Sequence, residues 1–311
     1  MFHLFKLRKR SFLLDRLPPL RGKLTENAAL SKMTWMNVGG PAEVLFEPAD
    51  EQDLALLISH HLNIPTTLLG AGSNVIIRDG GVPGLVIHLG KNFSYCKVNE
   101  NNTIECGASL LVMELAKTAQ KNGLSGFEFL CGIPGSVGGA LRMNAGAYGA
   151  EIKDILVSIR LINQKGEIKT IPMDAEFFRY RQNLLPSGWI FVGATFKGTP
   201  KNAEEILETM AGYKEMREKN QPVGVKTCGS TFKNPEGLQA WRLIDKAGCR
   251  GMKIGGAEVS QKHCNFLINT GKATAGDVEA LGETIRKKVL ESSGISLEWE
   301  VLRIGIPLLK S

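Results

Sequence analysis

The chain has 311 residues, 43% of them hydrophobic and 22% charged, and carries a formal net charge of +7. This is ordinary globular composition, with room for two domains or two to three lobes. No run reaches the roughly 18 apolar residues of a membrane span. The basic start, interrupted by Lys6, Arg8, Lys9 and Arg10, lacks the apolar core of a signal peptide. The six cysteines form no CxxC pair, and no Cys/His spacing resembles a zinc site, so no metal is expected. Six free thiols in a reducing cytoplasm is the expectation. The positive excess suits either a nucleic-acid partner or a cleft for anionic small molecules. Much of it sits in the lead-in, with Arg16, Arg21 and Lys23 adding to the four residues above.

Residues 1–30 read as a helical, basic lead-in broken at Pro18-Pro19, with another helical turn over 24–30. A turn at Gly39-Gly40-Pro41 leads into a short strand ended by Pro48. Asp50 caps a helix over 51–61. Strands follow at 66–69, 75–78 and 85–89, the last two joined by Asp79-Gly80-Gly81 as a hairpin-type signal. Residues 93–98 and 103–106 form another pair, and Ser109 opens a helix that Gly123 stops. A hairpin turns at Lys165-Gly166, and Asp174 caps a short helix before Tyr180-Arg181. A strand at 190–196 precedes a long helix over 202–219 and an irregular stretch over 221–234. Helices over 238–247 and 274–291 flank a strand at 266–269, and residues 297–304 make the final strand. Strands with scattered helices, without strict alternation, indicate an α+β assembly.

Two glycine-rich stretches stand out. One is Gly70-Ala71-Gly72-Ser73-Asn74, between two apolar runs. The other spans residues 132–149 and includes Gly132, Ile133, Pro134, Gly135, Ser136, Gly138, Gly139, Asn144 and Gly146. Glycine gathers where backbone turns sharply or approaches something closely. A tight crossover loop is one reading. A backbone cradle for an anion such as a pyrophosphate is the other, and two such loops favour it. The first loop has Val75 where a dinucleotide fingerprint has its third glycine, and no acidic residue follows about twenty residues on, so a doubly wound dinucleotide fold is disfavoured.

The ordered segments 35–41, 69–74, 132–149, 180–181, 229–235 and 298–305 resemble the UDP-N-acetylmuramate dehydrogenase family. These flavoenzymes are also called UDP-N-acetylenolpyruvoylglucosamine reductases. The likeness runs from about residue 33 to 304. It implies a two-lobed FAD-binding domain of the vanillyl-alcohol oxidase type over 32–198, after a basic arm at 1–31. It implies a substrate-binding α+β domain over 199–311, whose last strand returns to the active site. The cofactors implied are FAD and NADPH, and the substrate is the enolpyruvyl ether of UDP-N-acetylglucosamine. No nucleic acid, membrane or obligatory protein partner is implied. NADPH would reduce FAD, and the flavin would then pass hydride to the enolpyruvyl double bond.

The resemblance selects three catalytic residues. Arg181 follows Tyr180 in a motif that usually reads Gly-Tyr-Arg-x-Ser; here Arg179 replaces Gly and Asn183 replaces Ser. Alone, such an Arg is a surface or ion-pair residue. In the family its fork would bind a carboxylate or a developing enolate. Ser230, by itself a loop cap between Gly229 and Thr231, becomes the proton donor to the substrate carbon. Glu300 is the carboxyl followed directly by Val301; strand alternation would put it with Glu298 on the face opposite Leu297, Trp299 and Val301. If partly buried, it would stay protonated and donate to the enolate oxygen. Tyr180, Arg181, Lys226 and Asn234 are the expected substrate-binding residues, and Ser73, Asn74 and Asn144 the side-chain donors to phosphate or flavin. The short stretch from Arg181 to the strand at 190 leaves no room for the tyrosine-bearing loop of some members, so the chain resembles the loop-lacking type II kind. A basic nucleic-acid-binding protein, the reading from a different class, is supported by the lead-in alone.

Overall fold

The computed structural model describes residues 12–308. The Lys6–Arg10 part of the basic lead-in lies outside the described residues. Two sheets form the front of the molecule. The first has four strands in the order Lys23–Ala29, Pro41–Glu47, Val82–His88, Thr66–Leu69. Its first pair is antiparallel and the other two pairs are parallel. Helix α1 (Glu51–Ser59) begins at Asp50, whose side chain accepts the Asp53 N–H. It packs Leu54 and Leu57 against Val44, Phe46, Leu85 and Ile87. The second sheet is antiparallel, in the order Ile168–Pro172, Leu156–Ile162, Ile190–Lys197, Thr103–Gly107, Cys96–Val98. Helix α2 (Val112–Lys121) covers it with Leu115, Ala116 and Ala119. Helices α3 (Val137–Met143) and α4 (Ala203–Asn220) pack into the same core. At the rear, Lys253–Ile254, Ala257–Val259 and Leu267–Asn269 form an antiparallel meander. Helix α5 (Ala240–Lys246) and helix α6 (Ala275–Ser293) cover it, α6 through Val278, Leu281, Ile285 and Val289.

One two-stranded ladder joins front and rear. Val75–Ile77, which leaves the first glycine loop, pairs in parallel with Leu302–Ile304. Leu302 stands opposite Val75 and Ile304 opposite Ile77. The segment carrying Glu300 is thereby brought to the mouth of the glycine loop.

Three expectations are corrected. Residues 24–30 are not helical: Lys23–Ala29 is an edge strand whose register runs from Lys23↔Glu47 to Ala29↔Pro41. Weak helix propensity yields to that pairing. Its basic neighbours are also engaged, Arg21 with Asp50 and Lys23 with Glu47. Asp79-Gly80-Gly81 does not close a hairpin. The strand before it pairs with the C-terminal strand, and the strand after it pairs with Pro41–Glu47 and Thr66–Leu69. Asp79 instead accepts the Ala275 and Gly276 N–H groups at the start of α6, both at 2.9 Å. The final strand is shorter than expected: its ladder covers only Leu302–Ile304, and Trp299 makes an isolated bridge to Phe232.

Candidate active site

The two glycine stretches form one wall. Ser73 Oγ donates to Pro134 O at 3.3 Å, and a Cβ on Gly135 would lie 2.7 Å from the same hydroxyl. Gly72 has φ +66°, and a Cβ there would fall 2.0 Å from Met33 O, so only glycine fits. Among the described residues, the N–H groups of Ala71, Gly72, Ser73, Asn74, Gly135 and Ser136 make no hydrogen bond. Gly72 and Ser136 are buried. Buried amides are nearly always satisfied. A cluster of open donors along two touching loops suits the oxygens of a diphosphate. Val137 and Gly138 are different: their N–H groups donate to Leu110 O and Ala108 O at 2.9 and 2.8 Å. The donor set is therefore the loop ahead of α3 and not the whole glycine run. A Cβ on Gly139 would meet only Ser136 Oγ, at 3.6 Å, and one on Gly70 only that same atom, at 3.3 Å. Those bare faces can take a flat ring at close range. These residues fit FAD.

The charged side chains converge beside this wall. Thr231 O accepts the Glu300 N–H at 2.9 Å, and Lys233 N donates to Glu298 O at 2.9 Å. Residues 230–233 thus run alongside 298–301, which puts Ser230 next to the Glu300 segment. Phe266 bridges Ser230 on its other side. Asn74 Nδ2 donates to Glu300 O at 3.1 Å, linking the glycine loop directly to the carboxyl-bearing residue. Arg181 Nε lies 3.3 Å from Glu300 Oε1, with side chains only 18% and 14% exposed. Glu298, by contrast, has a side chain 75% exposed and pairs with Lys233 at 3.3 Å. The alternation expected for a regular strand fails here, and the two carboxylates part company. Burial pushes the Glu300 carboxyl above its ordinary value, against the opposing pull of Arg181 and Lys233.

Arg181 occupies the second loop position of a tight hairpin, between Phe178–Arg179 and Gln182–Asn183. It is left-handed, with φ +55°. Its Nη2 donates to Gly146 O at 3.0 Å, and its guanidinium lies 4.9 Å from the centre of the Tyr180 ring. Tyr180 is 49% exposed and opens on a cleft of about 620 Å³ that Asn234 and residues 235–239 also line.

Other expected site residues are occupied elsewhere in the protein. Asn144 is fully buried; its Nδ2 donates to Glu151 Oε2 and Arg179 O, and its Oδ1 accepts the Lys153 N–H. Its side-chain amide is thus engaged within the protein. Asn234 Oδ1 accepts the Ala240 N–H at 3.0 Å, which steadies the start of α5. Lys226 Nζ lies 3.1 Å from the side-chain amide of Asn37. One residue of the site was not expected from sequence: Asn183, which gave only a weak signal as a departure from the motif. Gly146, expected as part of the glycine cradle, also receives the Arg181 guanidinium on its carbonyl. All six cysteines are free. Burial raises the Cys228 thiol to about 12. Among the described residues, no group of His, Cys, Asp and Glu could hold a metal, and no helix is long and apolar enough to cross a membrane.

Residues 42–172 match the model of an FAD binding domain, and residues 221–304 match the C-terminal domain of UDP-N-acetylenolpyruvoylglucosamine reductase. The reductase of Azorhizobium caulinodans is 52% identical over 292 residues, covering 94% of each chain. The chain belongs to the UDP-N-acetylenolpyruvoylglucosamine reductase family. The reductase of Paramagnetospirillum magneticum is 51% identical over 300 residues, 96% of this chain and 97% of that one. The crystal structure of the Thermus caldophilus reductase superposes with a TM-score of 0.79 at 35% identity, covering 91% of this chain and 99% of that one. Membership in the reductase family and the open glycine-loop donors agree on a flavin site in the front half.

Proposed function

We propose that this chain reduces the enolpyruvyl ether of UDP-N-acetylglucosamine to UDP-N-acetylmuramate through bound FAD, with NADPH as donor, in peptidoglycan precursor synthesis in the cytoplasm. The reading is carried by one observation: a largely buried Arg181–Glu300 pair beside Ser230, tied by Asn74 to the glycine loop. The portion over 32–198 holds the flavin and the portion over 199–311 closes over the substrate. When bound, FAD supplies a hydride acceptor and donor.

This chain's residues do the rest. The amides of 71–74 and 135–136 grip the FAD diphosphate. Arg181 takes the substrate carboxylate in its planar fork, which holds the double bond in one orientation. Hydride arriving at the terminal carbon drives charge onto the neighbouring carbon and its carboxylate. Arg181 neutralises that charge, and protonated Glu300 donates to the enolate oxygen; each such donor is worth a few kcal/mol. Ser230 gives its hydroxyl proton to the carbon, completing addition of one hydride and one proton across the double bond. Tyr180 and Asn234 flank the cleft into which the sugar nucleotide extends, and the surplus positive charge favours three polyanionic ligands.

The test separates the two half-reactions without oxygen. The bound flavin is first reduced, then the enolpyruvyl sugar nucleotide is added and reoxidation is followed. Wild-type protein reoxidises rapidly. Ser230→Ala slows this step by roughly 10²- to 10⁴-fold and leaves reduction by NADPH unchanged. No substrate-dependent reoxidation in the wild type would refute the reading, and an unaffected Ser230→Ala variant would remove Ser230 from it.

A further inference from the structure

Arg181 adopts a conformation that its residue type disfavours. An L-residue in the left-handed region is sterically strained, and Gly or Asn is the usual occupant of such a turn position. The hairpin that holds it has only two residue pairs, Phe178↔Asn183 and Arg179↔Gln182. A ribbon this short does not stabilise its own turn. The constraint comes from outside the hairpin.

Its source is the C-terminal end of α3. Asn183 Nδ2 donates to Arg142 O at 2.8 Å and to Leu141 O at 3.2 Å. Its Oδ1 accepts the Leu185 N–H at 3.2 Å, and the residue is 8% exposed. The carbonyls it meets belong to the last turn of α3, where helical partners run out. On the other strand, Arg179 O accepts from Asn144 Nδ2 at 3.2 Å, and Asn144 is the left-handed cap of the same helix, with φ +45°. Gly146, which receives the Arg181 guanidinium, follows two residues later. Helix α3 starts directly after Gly135-Ser136, so one seven-residue helix joins the glycine loop to the frame of the arginine hairpin.

We propose that Asn183 is a positioning residue for Arg181: by bonding two end carbonyls of α3, it registers the guanidinium against the flavin loop. A planar amide donates two protons and accepts in addition. The serine found in the resembling motif has one donor on a shorter stem and cannot bridge both carbonyls while accepting from Leu185. The proposal rests on the reductase reading above, because it takes Arg181 to be the group that meets the substrate.

The test uses holoprotein carrying Asn183→Ala or the milder Asn183→Ser, and Arg181→Ala with and without Asn183→Ala. A guanidinium displaced by about 1 Å slows a positioned reaction by roughly 10- to 100-fold. The substrate-dependent reoxidation rate of Asn183→Ala therefore falls by that factor, and Asn183→Ser lies between it and wild type. Reduction by NADPH stays within about twofold of wild type, since that step does not use Arg181. In the Arg181→Ala background, adding Asn183→Ala costs nothing further, because no guanidinium is left to position. Equal loss in both half-reactions, or full additivity with Arg181→Ala, would overturn the assignment in favour of a general folding role. Wild-type reoxidation in flavin-loaded Asn183→Ala would overturn it outright. Failure of the wild type itself to reoxidise with substrate would count against the reductase reading instead.

Discussion

The Arg181 guanidinium and the Glu300 carboxyl, from opposite ends of the fold, meet at 3.3 Å with both side chains largely buried. In this arrangement each is the other's charged partner. A substrate carboxylate arriving at Arg181 competes for that partnership.

That competition predicts proton uptake on binding. Two carboxylates sharing one guanidinium in a desolvated site cannot both stay ionised at little cost. The groups facing Glu300 are Arg181 from the hairpin and Lys233 from the adjoining segment, with the Asn74 amide on its carbonyl. Once the substrate engages Arg181, Glu300 takes a proton from solvent and keeps it, sharing it with the enolate oxygen in a hydrogen bond. Calorimetric titration with substrate in buffers of differing ionisation enthalpy should give uptake of about one proton above the Glu300 titration, and Glu300→Gln should lose it. No uptake in the wild type, or the same uptake in the variant, would sink the idea.

The pH dependence of stability carries a second signature. Burial raises the Glu300 carboxyl above 4.5, so the folded chain holds that proton more tightly than the unfolded one. The associated stabilisation is complete below pH 4.5 and is lost as pH rises through the folded-state value. Glu300→Gln removes the titration. Its melting temperature relative to wild type should therefore climb as pH rises from about 4 to about 8, whatever constant offset the lost ion pair imposes. Parallel melting curves across that range would show that Glu300 does not titrate as argued.

Gly282 sets the seat of the residue beside Glu300. A Cβ there would lie 2.2 Å from the Trp299 ring, which cannot swing away freely because Trp299 Nε1 donates to Glu283 Oε1 at 2.8 Å and Arg303 covers its face at 4.5 Å. In an exposed helix Gly→Ala is stabilising by up to about 1 kcal/mol. Here overpacking of roughly 1–3 kcal/mol opposes it. Gly282→Ala is expected to lower the melting temperature by a few degrees and to slow substrate-dependent reoxidation as Trp299 shifts its neighbour. A melting temperature above that of wild type would show that the ring relaxes without cost.

The local pieces were legible along the chain. Glycine pairs marked the loops, Asp50 marked the start of α1, and the Lys165-Gly166 turn marked its hairpin, because each depends on the backbone freedom or capping chemistry of a few adjacent residues. The ordered motifs marked Arg181, Ser230 and Glu300 as a set. Tertiary structure decided which pieces meet. Asp79-Gly80-Gly81 has every local feature of a hairpin, yet its flanking strands choose distant partners, because strand pairing is settled by which apolar faces can be buried together. The same long-range choice brings Val75 against Leu302, and with it Glu300 against Asn74 and Arg181. No pattern along the chain separates exposed Glu298 from largely buried Glu300; the ladder begins only at Leu302, so the preceding residues follow the contours they pack against instead of a period of two. Desolvation, which gives Glu300 its proton affinity, belongs to the three-dimensional enclosure and is written in no single stretch of residues.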